Sequence, residues 1–143
     1  HLPGSQRQRQ KVVRGHDCKA RDKAMTQFNA RHKNARISAQ KVRPLANLVR
    51  GMYADEALDT LKYQPQRGAR MLEKVIKSAV GNAQDPDQNS GRSVRVEHLV
   101  VVEARVDNGP MFKRIRPRAR GMAFMVRKRF SHIHVALEDI SEL

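Results

Sequence analysis

A chain of 143 residues with 29 Lys and Arg against 14 Asp and Glu carries a formal charge of +15, a balance that points to nucleic acid as partner. A single cysteine, Cys18, excludes an internal disulfide framework, and no apolar run approaches the roughly 18 residues of a membrane span, so no membrane partner is expected. Trp is absent and aromatics make up 4%, so one small, aliphatic core is all the chain can build.

The N-terminal HLPGSQRQRQ has Arg and Gln but lacks the apolar stretch of a secretory signal. Residues 1–24 read as a basic, disordered N-terminal extension, an upstream reading of the start or an unprocessed leader, and residues 25–143 as a single domain. Ser38 suits the N-cap of a helix that shows Val42, Leu45, Ala46 and Val49 on one face and closes at Gly51. Pro44 inside it predicts a kink or a 3₁₀ start, because it removes one main-chain hydrogen bond. Asp55 is placed as the cap of a second helix, Glu56 to Tyr63, presenting Ala57, Leu58 and Leu61. After Pro65 a longer helix runs from Gln66 to about Gln84. Its apolar set of Ala69, Leu72, Val75, Ile76, Ala79, Val80 and Ala83 keeps the 3.6-residue period, while Arg67, Arg70, Lys74 and Lys77 take the other face.

Asp85 to Gly91 is a loop by composition, and the segment from Val94 to Val106 then reads as strand, with Glu103 and Arg105 outward. His132 to Leu137 returns as its partner. Between them lies GPMFKRIRPRARGMAFMVRKR, residues 109–129, with eight Lys or Arg and no acid. Pro117 and Gly121 bracket its middle with turn chemistry, so the segment reads as a hairpin arm. Ten residues out and ten back project the tip about 30 to 35 Å at roughly 3.3 Å per residue. A two-stranded ribbon of repelling charges is marginal alone, and a polyanion is what orders it. The predicted fold class is α+β: a small antiparallel sheet packed by three helices, with a long protruding basic β-hairpin.

Ala35-Arg-Ile-Ser-Ala-Gln-Lys-Val42, Leu48-Val-Arg-Gly51, Glu56-Ala-Leu58, Val75-Ile-Lys-Ser-Ala79 and Asn82-Ala83 form a familiar series. Gly109-Pro110, Lys113-Arg-Ile-Arg-Pro-Arg-Ala-Arg-Gly121, Arg127-Lys-Arg129 and Ser131-His-Ile133 complete it. Together they closely resemble the bacterial large-subunit ribosomal protein twenty-two family over about Met25 to Glu138. The resemblance implies a cytoplasmic ribosomal protein, or one of an organellar ribosome, that binds large-subunit ribosomal RNA. Its arm would line the nascent-peptide exit tunnel, beside other large-subunit proteins and the peptide in transit, with no homo-oligomer.

By position, Arg36, Lys41, Arg43 and Arg50 would anchor the first helix to RNA. Lys113, Arg114, Arg116, Arg118 and Arg120 would hold phosphates along the arm, and Arg127, Lys128 and Arg129 would do so on the return. Met111, Phe112, Lys113, Arg114, Pro117 and Gly121 would form the tunnel tip. The chain departs from the family pattern at Ala39, where Pro is frequent, at Pro44, where an aliphatic is usual, and at Met122 to Met125, which are apolar or small.

Arg offers a planar fork for phosphate and a face for an unpaired base, which suits RNA read by shape and charge. With about six phosphates neutralised, log K falls against log salt with a slope near −4 to −5. The competing reading is a DNA-architectural protein with basic β-ribbon arms, which usually requires an interlocked dimer; a third is a free-standing regulator that binds nascent peptides or messenger RNA. Catalysis has no support. His132 with His134, and His16 with Cys18, lack four-ligand zinc spacing, and Asp55, Glu56 and Asp59 suit a helix start better than acid–base chemistry. Neither enzyme activity nor a metal or cofactor is expected.

Overall fold

The structure, a computed structural model, describes residues 27–85 and 94–140. The expected extension 1–24 and most of the loop after Asp85 lie outside them. Strand β1 (Gln27–Ala35) leads to helices α1 (Ala39–Val49), α2 (Ala54–Tyr63) and α3 (Arg67–Gln84). A 3₁₀ turn (Val96–His98) precedes β2 (Leu99–Pro117), a tight turn (Ala119–Gly121) and β3 (Ala123–Asp139). The sheet is antiparallel in the order β1-β3-β2, which confirms the α+β class.

Alternation on the strands sets the layering. Phe28, Val101, Ala104, Val106, Ile133, Val135 and Leu137 turn inward against the helices and are buried. From the other layer α3 contributes Leu72 and Ile76, α1 contributes Val42, Leu45 and Val49, and α2 contributes Leu61. The helical period of these positions is what makes three short helices one apolar surface. Gly68 lets α3 approach α1, since a Cβ there would stand 3.1 Å from Leu45 and 3.4 Å from Val42.

Several expectations change. β1 was not foreseen. The second helix starts at Ala54 with Tyr53 as its N-cap, so Asp55 is not the cap; Asp55 and Glu56 occupy the first turn, where carboxylates favour the dipole. Pro44 sits inside a continuous α1, without a 3₁₀ start. It is tolerated because Pro44 and Gln40, whose carbonyl loses its donor, are both exposed to solvent. Residues 96–98 form a 3₁₀ turn rather than strand, and β2 starts at Leu99. Val102 is bulged out of the ladder between Val101↔Leu137 and Glu103↔Ala136 and stands exposed.

The outer edge of β2 is closed by the end of α1. The Gly51 amide donates to the Val101 carbonyl at 2.8 Å, and the Val101 amide donates to Met52 at 3.0 Å. Gly51 has φ +84°, the left-handed conformation that turns the chain out of the helix toward that edge. Arg50 Nη2 donates to the Ala104 carbonyl at 2.6 Å and Arg43 Nε to the Val106 carbonyl at 3.4 Å. On the opposite edge Asn82 Nδ2 donates to the Asn29 carbonyl at 3.0 Å. Main-chain groups bonded in this way are withdrawn from pairing with another strand. Arg50→Ala should therefore cost about 1.5 to 3 kcal/mol, the range for a hydrogen bond to a charged donor, read as a lower urea midpoint at unchanged slope. An unchanged midpoint would show that the edge needs no guanidinium.

Candidate nucleic-acid interface

β1 pairs with β3 as far as Ala35↔Ser131, and beyond that point β2 and β3 continue alone. They stay in register from Met111↔Arg129 to Pro117↔Ala123, a two-stranded ribbon of nearly all exposed residues. A bulge at Gly109 and Pro110 separates sheet from ribbon. Gly109 passes against β3 so closely that a Cβ would lie 3.0 Å from the Phe130 carbonyl carbon.

Register assigns the ribbon's faces. Phe112, Arg114 and Arg116 stand opposite Lys128, Val126 and Phe124 on one face. Lys113 and Ile115, opposite Arg127 and Met125, hold the other with Met111 and Arg129. At the far end Arg118 donates its amide to the Met122 carbonyl at 2.7 Å. Arg120 has φ 60° and Gly121 φ 69°. Two consecutive left-handed residues make the reversal, easy for Gly121 and strained for Arg120.

Arg118, Arg120, Pro117 and Gly121 are thus at the turn, and Lys113, Arg114 and Arg116 lie along the shaft. Met111 and Phe112 belong elsewhere than the tip: they pair with Arg129 and Lys128 at the ribbon's root. There Phe112 meets Phe130 edge to face, with ring centres 5.2 Å apart at 84°, and the Arg114 guanidinium lies over the Phe112 ring at 5.3 Å. The ribbon therefore has a small aromatic anchor of its own.

A groove of about 1130 Å³ opens between this root and the starts of α1 and α3. It collects Arg36, Lys41, Arg114, Arg127, Lys128 and Arg129, all foreseen as RNA contacts, with Phe112. Arg67 and Phe130 join them unforeseen. The signal for Arg67 was present, since the first turn of α3 carries that cation and no acid. Arg43 and Arg50 point to a different role from the one expected, because their guanidinium groups hold sheet-edge carbonyls.

The outer sheet face differs in its electrostatics. Arg105 lies 3.5 Å from Glu103 and 3.3 Å from Asp107, and His134 Nε2 lies 3.6 Å from Asp107. Arg105 is thus flanked by two carboxylates, whereas no arm cation makes an ion pair among the described residues. His132 Nδ1 accepts the Asn34 amide at 3.0 Å, bracing the bulge near the end of β1 where Asn34 has φ 58°. Among the described residues no cluster of ligating side chains could hold a metal ion, and no helix is long and apolar enough to cross a membrane.

The sequence that builds this body and ribbon has relatives. Residues 30–138 match the protein family described as Ribosomal protein L22p/L17e. The chain belongs to this family. It is thus a structural ribosomal protein and not an enzyme.

Among its relatives, a protein of Rhodopirellula baltica named Large ribosomal subunit protein uL22 is 79% identical over 119 residues, 83% of this chain and 100% of the relative. Proteins of the same name from Desulfotalea psychrophila and Caldicellulosiruptor saccharolyticus are 48% and 47% identical, covering 75% and 73% of this chain and 93% and 82% of their own lengths. Membership in the L22p/L17e family displaces the DNA-architectural and free-regulator readings.

Proposed function

We propose that this protein is a structural constituent of the large ribosomal subunit that binds and organises large-subunit ribosomal RNA, its ribbon lining the nascent-peptide exit tunnel. The observation that carries the reading is the ribbon itself: eight cations and no acid on residues 109–129, extended beyond the sheet and without internal ion pairs. Like charges held along two strands repel, and converging phosphates remove that repulsion while their counterions are released. Arg114, Arg116, Arg118 and Arg120 contact phosphate from shaft and turn, with Lys113, Arg127, Lys128 and Arg129 beside them. Arg36 and Lys41 extend the surface onto the body.

The exposed Ile115, Met122, Phe124 and Met125 have no cover from the body, and they pack on RNA bases or neighbouring large-subunit proteins. Pro117, Arg120 and Gly121 at the turn meet the peptide in transit. The protein works as a single copy in the cytoplasmic ribosome.

Sedimentation of lysate through sucrose at moderate and high salt tests the reading. The protein is expected to travel with the large subunit in both, because a partly buried electrostatic interface is screened less than an exposed one. Recovery with DNA, or at the top of the gradient, would overturn it.

A further inference from the structure

The groove at the ribbon's root brings cations of both body and ribbon to a pair of aromatic rings. We propose that it takes one unstacked nucleotide of the ribosomal RNA, its base on the Phe112–Arg114 platform and its flanking phosphates on Arg36, Lys41 and Arg67. The inference rests on the RNA-binding reading above and adds to it a defined subsite and ligand.

Three observations carry it. The first is the platform. Phe112 is 49% exposed, yet its ring is fixed from the side by Phe130 at 5.2 Å, and the Arg114 guanidinium lies over it at 5.3 Å. A guanidinium within cation–π range of a half-exposed ring leaves part of that ring open, and an unpaired base stacks on the open part. Ile37 and Pro44 line the same groove and give the base an apolar flank.

The second is the charge. Seven cations line the groove, and no acidic residue does so among the described residues. Arg67 stands in the first turn of α3 and Lys41 in that of α1, where the helix dipole disfavours a cation. Neither Ser38 nor Gln66 caps its helix with a side-chain hydrogen bond. The free protein therefore gathers cations where its own field is already positive, and an anion between the two helix starts reverses that penalty.

The third is size. At about 1130 Å³ the open groove is no smaller than ordinary small-ligand pockets of roughly 300 to 1,000 Å³, which is room for a nucleotide. Elsewhere on the ribbon Phe124 stands exposed opposite Arg116, but among the described residues no second ring braces it, so the root is where a fixed aromatic face meets cations of the body.

Filter binding of the full chain to transcribed Rhodopirellula baltica large-subunit ribosomal RNA, over a series of salt concentrations, separates the contributions. Phe112→Leu keeps apolar bulk and removes the aromatic face. It is expected to weaken binding by about five- to a hundredfold, the worth of one stacked base, without changing the salt slope. Phe112→Tyr restores the affinity. Acylation of RNA 2′-hydroxyls is expected to show one nucleotide altered by wild type and by Phe112→Tyr, but not by Phe112→Leu. Replacing Lys41 and Arg67 by Gln flattens the slope by about one unit for each lost phosphate. Binding of Phe112→Leu within about twofold of wild type overturns the stacking site, and an unchanged slope in the Gln variants overturns the phosphate placement. Failure of the wild-type chain to bind this RNA at all overturns the RNA-binding reading, and the subsite with it.

Discussion

Alanine at Arg114, Arg116, Arg118 and Arg120 together is expected to flatten the salt dependence of binding to large-subunit ribosomal RNA by about three units in log K against log salt. The figure follows from counterion release of about 0.7 to 0.9 per phosphate contact, taken four times. At about 0.1 M salt the same relation lowers affinity on the order of a thousandfold. The body should be indifferent. All four side chains are exposed, none makes an ion pair among the described residues, and the core strand residues lie at or inside the level of Ala35 and Ser131. A urea midpoint equal to wild type, with a slope reduced by about three, is the expected pair of measurements. An unreduced slope would remove the ribbon from the interface, leaving the body cations to account for binding. Loss of Arg120 also relieves its φ of 60° little, because alanine tolerates that conformation no better.

The elements legible in the sequence were those whose residues repeat a single physical requirement. α3 runs over Arg67–Gln84 because seven apolar side chains return to one face of an 18-residue helix, and no other structure buries them together. β1 escaped because Gln27–Ala35 has one large apolar residue, Phe28, among polar neighbours. Its strand character comes from pairing with β3, a tertiary fact. Leu99 to Val102 is apolar at every position and satisfies either face, so period could not choose between them; the bulge at Val102 makes the choice. The start of α2 was misplaced because Asp55 resembles a cap in type, whereas the first turn suits the same carboxylate.

The interface divides in the same way. Charge type and turn chemistry marked the cations of the ribbon, since nothing in residues 109–129 could neutralise them internally. Partners that are main-chain atoms were invisible. Arg43 and Arg50 look like phosphate binders by type, and only the strand order places the carbonyls of Val106 and Ala104 within reach of them. The groove is likewise assembled by topology, from Arg36, Arg67, Phe112 and Phe130 on four separate stretches of chain. Phe112 was placed at the tip by the resemblance, although Pro117 and Gly121 already marked the turn; the turn at Ala119–Gly121 leaves it at the root.

Two glycine-to-alanine changes should act in opposite directions, and the contrast tests how the ribbon is fixed to the body. Gly81 lies inside α3 with nothing within 4 Å of an added Cβ, so Gly81→Ala is expected to stabilise by roughly 0.5 to 1 kcal/mol through helix propensity alone. Gly109→Ala adds the same methyl group where it would meet the Phe130 carbonyl carbon at 3.0 Å, its oxygen at 3.1 Å and its Cβ at 3.2 Å. Two of those atoms are main chain in the partner strand and cannot swing aside as a side-chain end does. Overpacking of this kind costs about 1 to 3 kcal/mol, and the cheapest relief is to spread β2 from β3 at the bulge. That displacement carries Phe130 away from Phe112, so the variant should also bind RNA more weakly and exchange the amides around Phe112 and Lys128 faster, with α3 amides unchanged. A urea midpoint as high as wild type would mean that the bulge yields without strain. The root aromatic pair, rather than the close approach of Gly109, would then be what sets the ribbon's course.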